Sequence, residues 1–296
     1  MLRAVLLILI FTALSPGGAA VAQSAAGSQD ANSGVRFERG RKSAELLYVY
    51  DGHFYVKTQI NNAPPVFFLL DTGAFTTLIA RSYAQSLGLA PMFDVEKREF
   101  FEAPLKFDGL RVNNQRFDGQ HLAACFPTVG IQVCGILGYD FIKNFVLVFD
   151  HQKGTVSVHD ARTYKHPDGD GANSEVIPVN LSDRTPHTKI DLFLGRSTEP
   201  TKIDVMFDTG SPIPFCLTGE FIAKVRESGE TFQAVRIGPR RIPLQDPVTC
   251  PKAPLQKGPT NFDGLLGGLA YLFPKVVFDY QNSRVIITHL GDSRRK

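Results

Sequence analysis

Two stretches of this chain lie on each other without a gap. GILGYDFIKNFVLVFDHQKGTVSV (residues 135–158) pairs residue for residue with GLLGGLAYLFPKVVFDYQNSRVII (residues 264–287). Gly135 falls on Gly264, Leu137 on Leu266 and Gly138 on Gly267, and Val148-Phe149-Asp150 falls on Val277-Phe278-Asp279. Upstream of each lies a second shared element. VFFLLDTGA, which ends at Ala74, corresponds to IDVMFDTGS, which ends at Ser211. Two motifs repeated in the same order describe one structural unit used twice, so the chain is expected to fold as two related halves. At 296 residues with 43% hydrophobic content, it is long enough to give each half a core.

The pattern within each half is that of short strands. HFYVKTQINNAPPVFFLLD (residues 53–71) reads as strand, turn, strand, with Asn61-Asn62 and Pro64-Pro65 as turn signals. TKIDLFLGRSTEPTKIDVMFD (residues 188–208) repeats that plan around Gly195 and Pro200. One short helical pattern follows each D-T-G. The first ends at Gly88, a C-terminal cap, and the second opens at Thr218, an N-cap, and ends at Gly229. The reading is a mainly β protein of two lobes, residues 44–161 and 176–290. A Pro-, Gly- and Asp-rich linker (residues 162–175) joins them, a flexible leader (residues 23–43) precedes them, and a tail (residues 291–296) follows.

The N-terminus reads as an export signal over residues 1–22. Arg3 supplies the positive start, residues 4–14 a short apolar core, and Ala20-Val21-Ala22 a small-residue cleavage site. No other segment is long and apolar enough to cross a membrane, so the mature chain is expected to carry no span and to be periplasmic or secreted. Export makes disulfide candidates of Cys125, Cys134, Cys216 and Cys250. Cys125 and Cys134 could close a local loop and Cys216 and Cys250 a longer one, but the sequence leaves all three pairings open. There is no C-x-x-C, and no His lies at ligand spacing beside Cys, so no metal and no cofactor are expected. With 21% charged residues and a formal charge of +3, the chain is too balanced for a nucleic-acid binder. G-x-S-x-G, H-E-x-x-H and Walker loops are absent from the sequence.

Asp71 and Asp208 each stand at the end of an apolar run. Burying a lone carboxylate costs several kcal/mol, so each needs a partner or a shifted pKa. Asp150 and Asp279 are repeated too, but they stand before turns, where Asp caps well, and read as structural.

A strand ending in D-T-G-A or D-T-G-S, followed later by apolar-apolar-Gly, resembles the aspartic peptidase family. LLDTGA looks like its retroviral branch. Two copies in one chain resemble the pepsin arrangement, or a fused retropepsin-like dimer of the bacterial exported kind, over residues 48–287. The resemblance implies a bilobal pepsin-like (acid protease) fold of two related retropepsin-like β-barrel lobes. It implies an aspartic endopeptidase acting on peptides or proteins, with Asp71 and Asp208 face to face as the catalytic pair. Each would then be the other's partner. Like charges about 4 Å apart repel by about 4 kcal/mol at an effective dielectric of about 20, so such a pair holds one proton between two carboxyls. Two motifs in one chain remove the need for a dimer, and a monomer is expected.

The resemblance also assigns supporting roles. Thr72 and Thr209 would bond across the interface, and Leu137-Gly138 and Leu266-Gly267 would pass behind the loops. Gly73 and Gly210 let the backbone turn tightly beside the carboxylates. Ser211 follows the second motif where Ala74 follows the first. A Ser211 hydroxyl donating to Asp208 would keep the charge there and the proton on Asp71. The longer insert of the first half contains EKREFFEAPLKF (residues 96–107), read as a flap hairpin with Phe100 and Phe101 at its tip. Pepsin-like flaps carry a Tyr, and none lies between Tyr83 and Tyr139. The alternative reading is a protease-like module in the cell envelope that binds peptide or protein without cutting it. Its motive is DTGSPIPFC, where Pro212 and Pro214 stiffen the loop after the second Asp.

Overall fold

The structure is a computed structural model that describes residues 34–166, 173–195, 197–244, 246–251 and 262–289. The expected signal peptide, the leader up to residue 33, residues 167–172 of the expected linker and the expected tail lie outside the described residues.

The described chain is mainly β and forms three sheets. In the first half, strands Leu110–Asp118, Leu78–Ile79, Ile131–Leu137, Val66–Leu70, Phe54–Ile60 and Glu99–Phe107 are neighbours in that order. A further pairing of Glu99–Phe107 with Leu110–Asp118 closes them into a six-stranded barrel. The second half has an open six-stranded sheet ordered Cys216–Leu217, Gly264–Leu266, Thr201–Phe207, His187–Leu194, Phe232–Ile237 and Arg240–Pro243. The third sheet draws on both halves, in the order Ser174–Pro178, Arg284–Thr288, Lys275–Asp279, Phe145–Asp150, Thr155–Asp160 and Ser43–Glu45.

The duplication sets the geometry of that shared sheet. The two V-F-D strands run antiparallel, with Val148 opposite Val277. These residues are equivalent in the repeat, so the approximate two-fold relation between the halves passes through this pair. Leu147, Phe149, Phe278 and Val276 are buried beneath the lobes in one continuous core. Asp150 accepts from the Lys153 N–H at 3.0 Å, and Asp279 accepts from Asn282 and Arg284. Both therefore hold turns.

Each D-T-G strand lies parallel to the apolar-apolar-Gly strand of its own half, in matching register. Leu70 pairs with Leu137, and Phe207 pairs with Leu266. The ladder continues into the loops, where the Asp71 N–H donates to Leu137 O at 3.0 Å and the Asp208 N–H to Leu266 O at 2.9 Å. The helices following the motifs are Arg81–Ser86 and Gly219–Glu227. Gly88 and Gly229 stand beyond their ends with φ of +67° and +75°. Thr218 Oγ1 accepts from the Phe221 N–H at 3.2 Å, as an N-cap does. Of the three cysteine pairings, the chain forms Cys125–Cys134 and Cys216–Cys250.

Residues 34–43, read as part of the leader, are instead structured. Val35–Phe37 pairs with the barrel strand at Leu110–Val112, and Ser43–Glu45 pairs with Ser157–His159. Val35 and Phe37 pack on the core while Arg36 faces solvent, an alternation only three residues long and submerged in a polar stretch. Ser174–Pro178 likewise takes the end of the expected linker into the shared sheet. No helix among the described residues is long and apolar enough to cross a membrane.

Candidate active site

The two D-T-G loops meet at the centre of the molecule, joined by four buried hydrogen bonds. Thr72 Oγ1 donates to Phe207 O at 2.9 Å and accepts from the Thr209 N–H at 3.0 Å. Thr209 Oγ1 donates to Leu70 O at 2.8 Å and accepts from the Thr72 N–H at 3.0 Å. A hydroxyl is needed on both sides because each must donate and accept at once. Leu137-Gly138 and Leu266-Gly267 lie directly behind the loops. The Tyr139 N–H donates to Ala74 O at 2.9 Å, and the Gly268 N–H to Ser211 O at 2.7 Å.

This lock places the carboxyls of Asp71 and Asp208 side by side, and each residue is only 1% exposed. The Gly73 N–H donates to Asp71 Oδ1, and the Gly210 N–H to Asp208 Oδ1, both at 2.8 Å. Each carboxyl also lies against the glycine of the opposite loop. A methyl group at position 73 would sit 2.7 Å from Asp208 Oδ1, and one at 210 would sit 2.5 Å from Asp71 Cγ. The loops are held by the threonines, so the carboxyls would have to part. Gly210→Ala should therefore destabilise the fold by about 1–3 kcal/mol, as overpacking does. It should also split the pair into separately titrating acids. Urea midpoints and carboxyl titration measure the two effects, and a variant matching the parent in both would contradict this packing.

Burial pushes both carboxyls above the ordinary range, Asp208 to about 6 and Asp71 well above 3.8. For Asp71, burial is the largest cause, followed by the charge of Asp208 and the hydrogen bond between the two carboxyls. That bond favours the ionised form of Asp208, as do the backbone N–H groups of Gly210 and Ser211. These influences favour the proton on Asp71 and the charge on Asp208. The cause differs from the one expected. Ser211 Oγ accepts from the Ile213 N–H at 3.3 Å, and Asp208 Oδ2 has no hydrogen-bond partner, so the Ser211 hydroxyl does not reach it. The Oδ2 atoms of both aspartates are buried and unpaired by the protein.

Phe100 and Phe101 are not at a hairpin tip. Residues 99–107 form one strand whose inward positions include Phe101, Ala103, Leu105 and Phe107, all in the barrel core. Phe100, 8% exposed, lies under the Arg116 guanidinium, 3.7 Å from its ring centre. The tip lies earlier, at residues 94–98, between Met92–Phe93 and Glu99–Phe100. There the Asp94 carboxylate accepts from the Glu96 N–H at 3.0 Å, the Arg98 N–H at 2.9 Å and Arg98 Nε at 2.8 Å. Met92, Phe93 and Val95 are exposed along this hairpin.

Other residues around the site fall outside the repeated motifs. Asp140 accepts from the Thr77 N–H at 2.6 Å and from Thr76 Oγ1 at 3.2 Å, which holds the segment leaving the first loop. Its position in the second copy is Leu269. The Tyr280 phenol is buried without a partner and stacked on Tyr139 at 5.8 Å. Burial raises its pKa well above the usual value, and the nearby aspartates raise it further. Elsewhere, Thr185, His187 and Asp204 line up as hydroxyl, imidazole and carboxylate, at 2.8 and 3.0 Å. Asp183 also lies 3.1 Å from His187 Nε2, and the two carboxylates raise the imidazole pKa against burial. The Thr185 hydroxyl donates to Asp183 Oδ1 at 3.1 Å and so has no proton to give the imidazole, and this cluster braces the lobe and does not form a nucleophile.

Residues 56–141 match the family model described as Aspartyl protease. The chain matches no curated protein. Its fold is similar to the crystal structure of an aspartic proteinase from Irpex lacteus, with a TM-score of 0.51 and 11% sequence identity. That match covers 86% of this chain and 99% of the other. The family match is confined to residues 56–141, and the likeness to the solved structure is one of fold, the bilobal fold of an aspartic proteinase.

Proposed function

We propose that the chain is an aspartic endopeptidase in which Asp71 and Asp208 activate one water between them. The observation that carries this reading is the buried carboxyl pair, aligned by the two threonines and left with one unpaired oxygen on each side. Ionised Asp208 takes a proton from the water as its oxygen attacks the scissile carbonyl. Protonated Asp71 donates its proton to the carbonyl oxygen. As the tetrahedral intermediate collapses, the proton on Asp208 passes to the leaving nitrogen, the C–N bond breaks, and a hydroxyl proton of the intermediate returns to Asp71. The hairpin at residues 92–100, with Phe93 and Val95 outward, takes the covering role in place of Phe100 and Phe101. On this reading the protein is exported after loss of residues 1–22, acts in the periplasm or outside the cell, and works as a monomer of two lobes.

Digestion of a peptide library by the mature chain from pH 3 to 8 tests the reading. Cleavage should fall on the acid side as Asp208 becomes protonated, near its value of about 6. It should fall on the alkaline side when the second proton leaves. The non-catalytic module is the second reading, motivated by Pro212 and Pro214, which stiffen the loop after the second Asp. Peptide retention with no cleavage at any pH would select that module.

A further inference from the structure

The cluster around His187 fastens separate stretches of the second lobe. His187 is 6% exposed and stands at the start of the strand His187–Leu194. Its Nδ1 faces Asp204 Oδ1 at 3.0 Å, and Asp204 lies four residues before Asp208, on the strand Thr201–Phe207. Its Nε2 faces Asp183 Oδ2 at 3.1 Å and Thr185 Oγ1 at 2.8 Å, both from the turn that enters its own strand. The Asp204 N–H in turn donates to Asp263 Oδ2 at 2.9 Å, which ties in the residue before Gly264–Leu266. The repeat marks the cluster as a feature of one lobe. Tyr55 pairs with Leu69 as His187 pairs with Met206, so Tyr55 and Phe67 hold in the first lobe the places of His187 and Asp204. Both pack in an apolar cluster there.

We propose that His187 is a pH-operated buckle: as an imidazolium it fastens the turn at residues 181–185 to the strand leading into Asp208, and on losing a proton it releases that turn. The hydrogen bonds themselves fix the protonation. The Thr185 hydroxyl gives its proton to Asp183 Oδ1, so its oxygen accepts from Nε2–H. Nδ1 meets an Asp204 oxygen, and an ionised carboxylate only accepts, so Nδ1 carries a proton too. A ring protonated on both nitrogens is charged, and the two carboxylates offset that charge in a buried place. Burial is the largest influence on His187 and lowers its pKa, but Asp183 and Asp204 together raise it above 6.5. Burial likewise opposes the charge on Asp183, but the bond to His187 and its charge hold that carboxyl below the ordinary range. Of the other charged groups on these elements, Asp263 adds a further carboxylate, Lys189 stands opposite Asp204 in the strand pair, and Arg184 lies in the turn. Both cations are exposed. The Phe262 ring, 6.0 Å from the imidazole, brings no charge. Loss of one proton leaves a ring nitrogen and a carboxylate oxygen as two acceptors face to face, which repel. The folded pKa lies above the unfolded value of about 6.5, so the stabilisation is complete below that value and is lost as pH rises through the folded one. The second lobe is thereby fastened in acid.

The test needs no turnover, so its outcome is independent of the protease reading. The full chain, labelled with ¹⁵N, is titrated from pH 5 to 9 as parent, Asp183→Asn and Asp204→Asn, with the His187 signals assigned by their loss in His187→Gln. Asparagine keeps an oxygen that accepts from the imidazole and removes the charge. In the parent, both ring nitrogens of His187 should carry protons at pH 6, and the ring should titrate above 6.5. Each asparagine variant should bring that midpoint down by about one pH unit or more. Thermal scans of the same three proteins read the effect on the fold. The carboxyl pair at Asp71 and Asp208 is common to all of them, so its own pH dependence cancels in the differences. The parent's advantage in melting temperature over Asp204→Asn should be largest near pH 6 and shrink by pH 9. A His187 ring with one proton at pH 6 overturns the proposal. So does a midpoint that neither variant moves, or an advantage that is equal at pH 6 and pH 9.

Discussion

Asp71→Asn and Asp208→Asn should each lower kcat by about 10²–10⁴-fold, the range for loss of a positioned acid or base, and leave the fold intact. Asparagine has nearly the shape of the carboxyl and keeps an oxygen to accept from the Gly73 or Gly210 N–H. What it lacks is a proton that can come and go. Stability supplies the control against simple misfolding. Both carboxyls have folded pKa values above the ordinary one, so the native state keeps protons that the unfolded chain releases. A group shifted in that direction favours the fold fully below its unfolded pKa of about 4, and that stabilisation is lost as pH rises through the folded value. The parent pair therefore works against folding at pH 7, and each asparagine variant should melt there at or above the parental temperature. The difference should shrink toward pH 3. Steady-state cleavage and thermal scans from pH 3 to 8 check both parts. An asparagine variant that cuts at the parental rate would end the assignment of that residue.

What could be read in advance follows from the repeat. The matching registers of Leu70 with Leu137 and Phe207 with Leu266 were implied by motifs that recur in the same order. Everything that differs between the copies was invisible to that signal. Asp140 faces Leu269 in the alignment, and Tyr280 faces His151. These single residues surround the pair, and each acts through one copy only. The flap was misplaced for a different reason. In residues 99–107 the inward set depends on the register with residues 110–118, and a slip of one residue exchanges core and surface. Phe100 and Phe101 look alike in sequence, yet one lies in the barrel core and the other under an arginine. The meeting of Val148 with Val277 joins strands far apart in the chain, and no local pattern specifies such a pairing.

The threonine lock carries the second large effect. Thr72→Val should destabilise the protein by about 2–6 kcal/mol, because it strands two buried backbone groups at about 1–3 kcal/mol each. Phe207 O loses its donor and the Thr209 N–H loses its acceptor. Thr209→Val strands Leu70 O and the Thr72 N–H in the same way. Domains of ordinary stability have about 5–15 kcal/mol in hand, so one such change removes a large share. Valine differs from threonine by little more than the hydroxyl, and the loss therefore reports on hydrogen bonding and not on a cavity. Thr72→Ser keeps the hydroxyl and loses a methyl, so it should cost only about 1 kcal/mol. The shared sheet still joins the lobes through Phe145–Asp150 and Lys275–Asp279, so the valine variants should remain folded at low urea. With the loops unlocked, their carboxyls should no longer share a proton reliably, and cleavage should fall more steeply than the folded fraction does. Urea midpoints of the three variants, measured beside their cleavage rates, decide the matter. If Thr72→Val and Thr72→Ser unfold together, the four bonds across the interface do not hold the two acids in place.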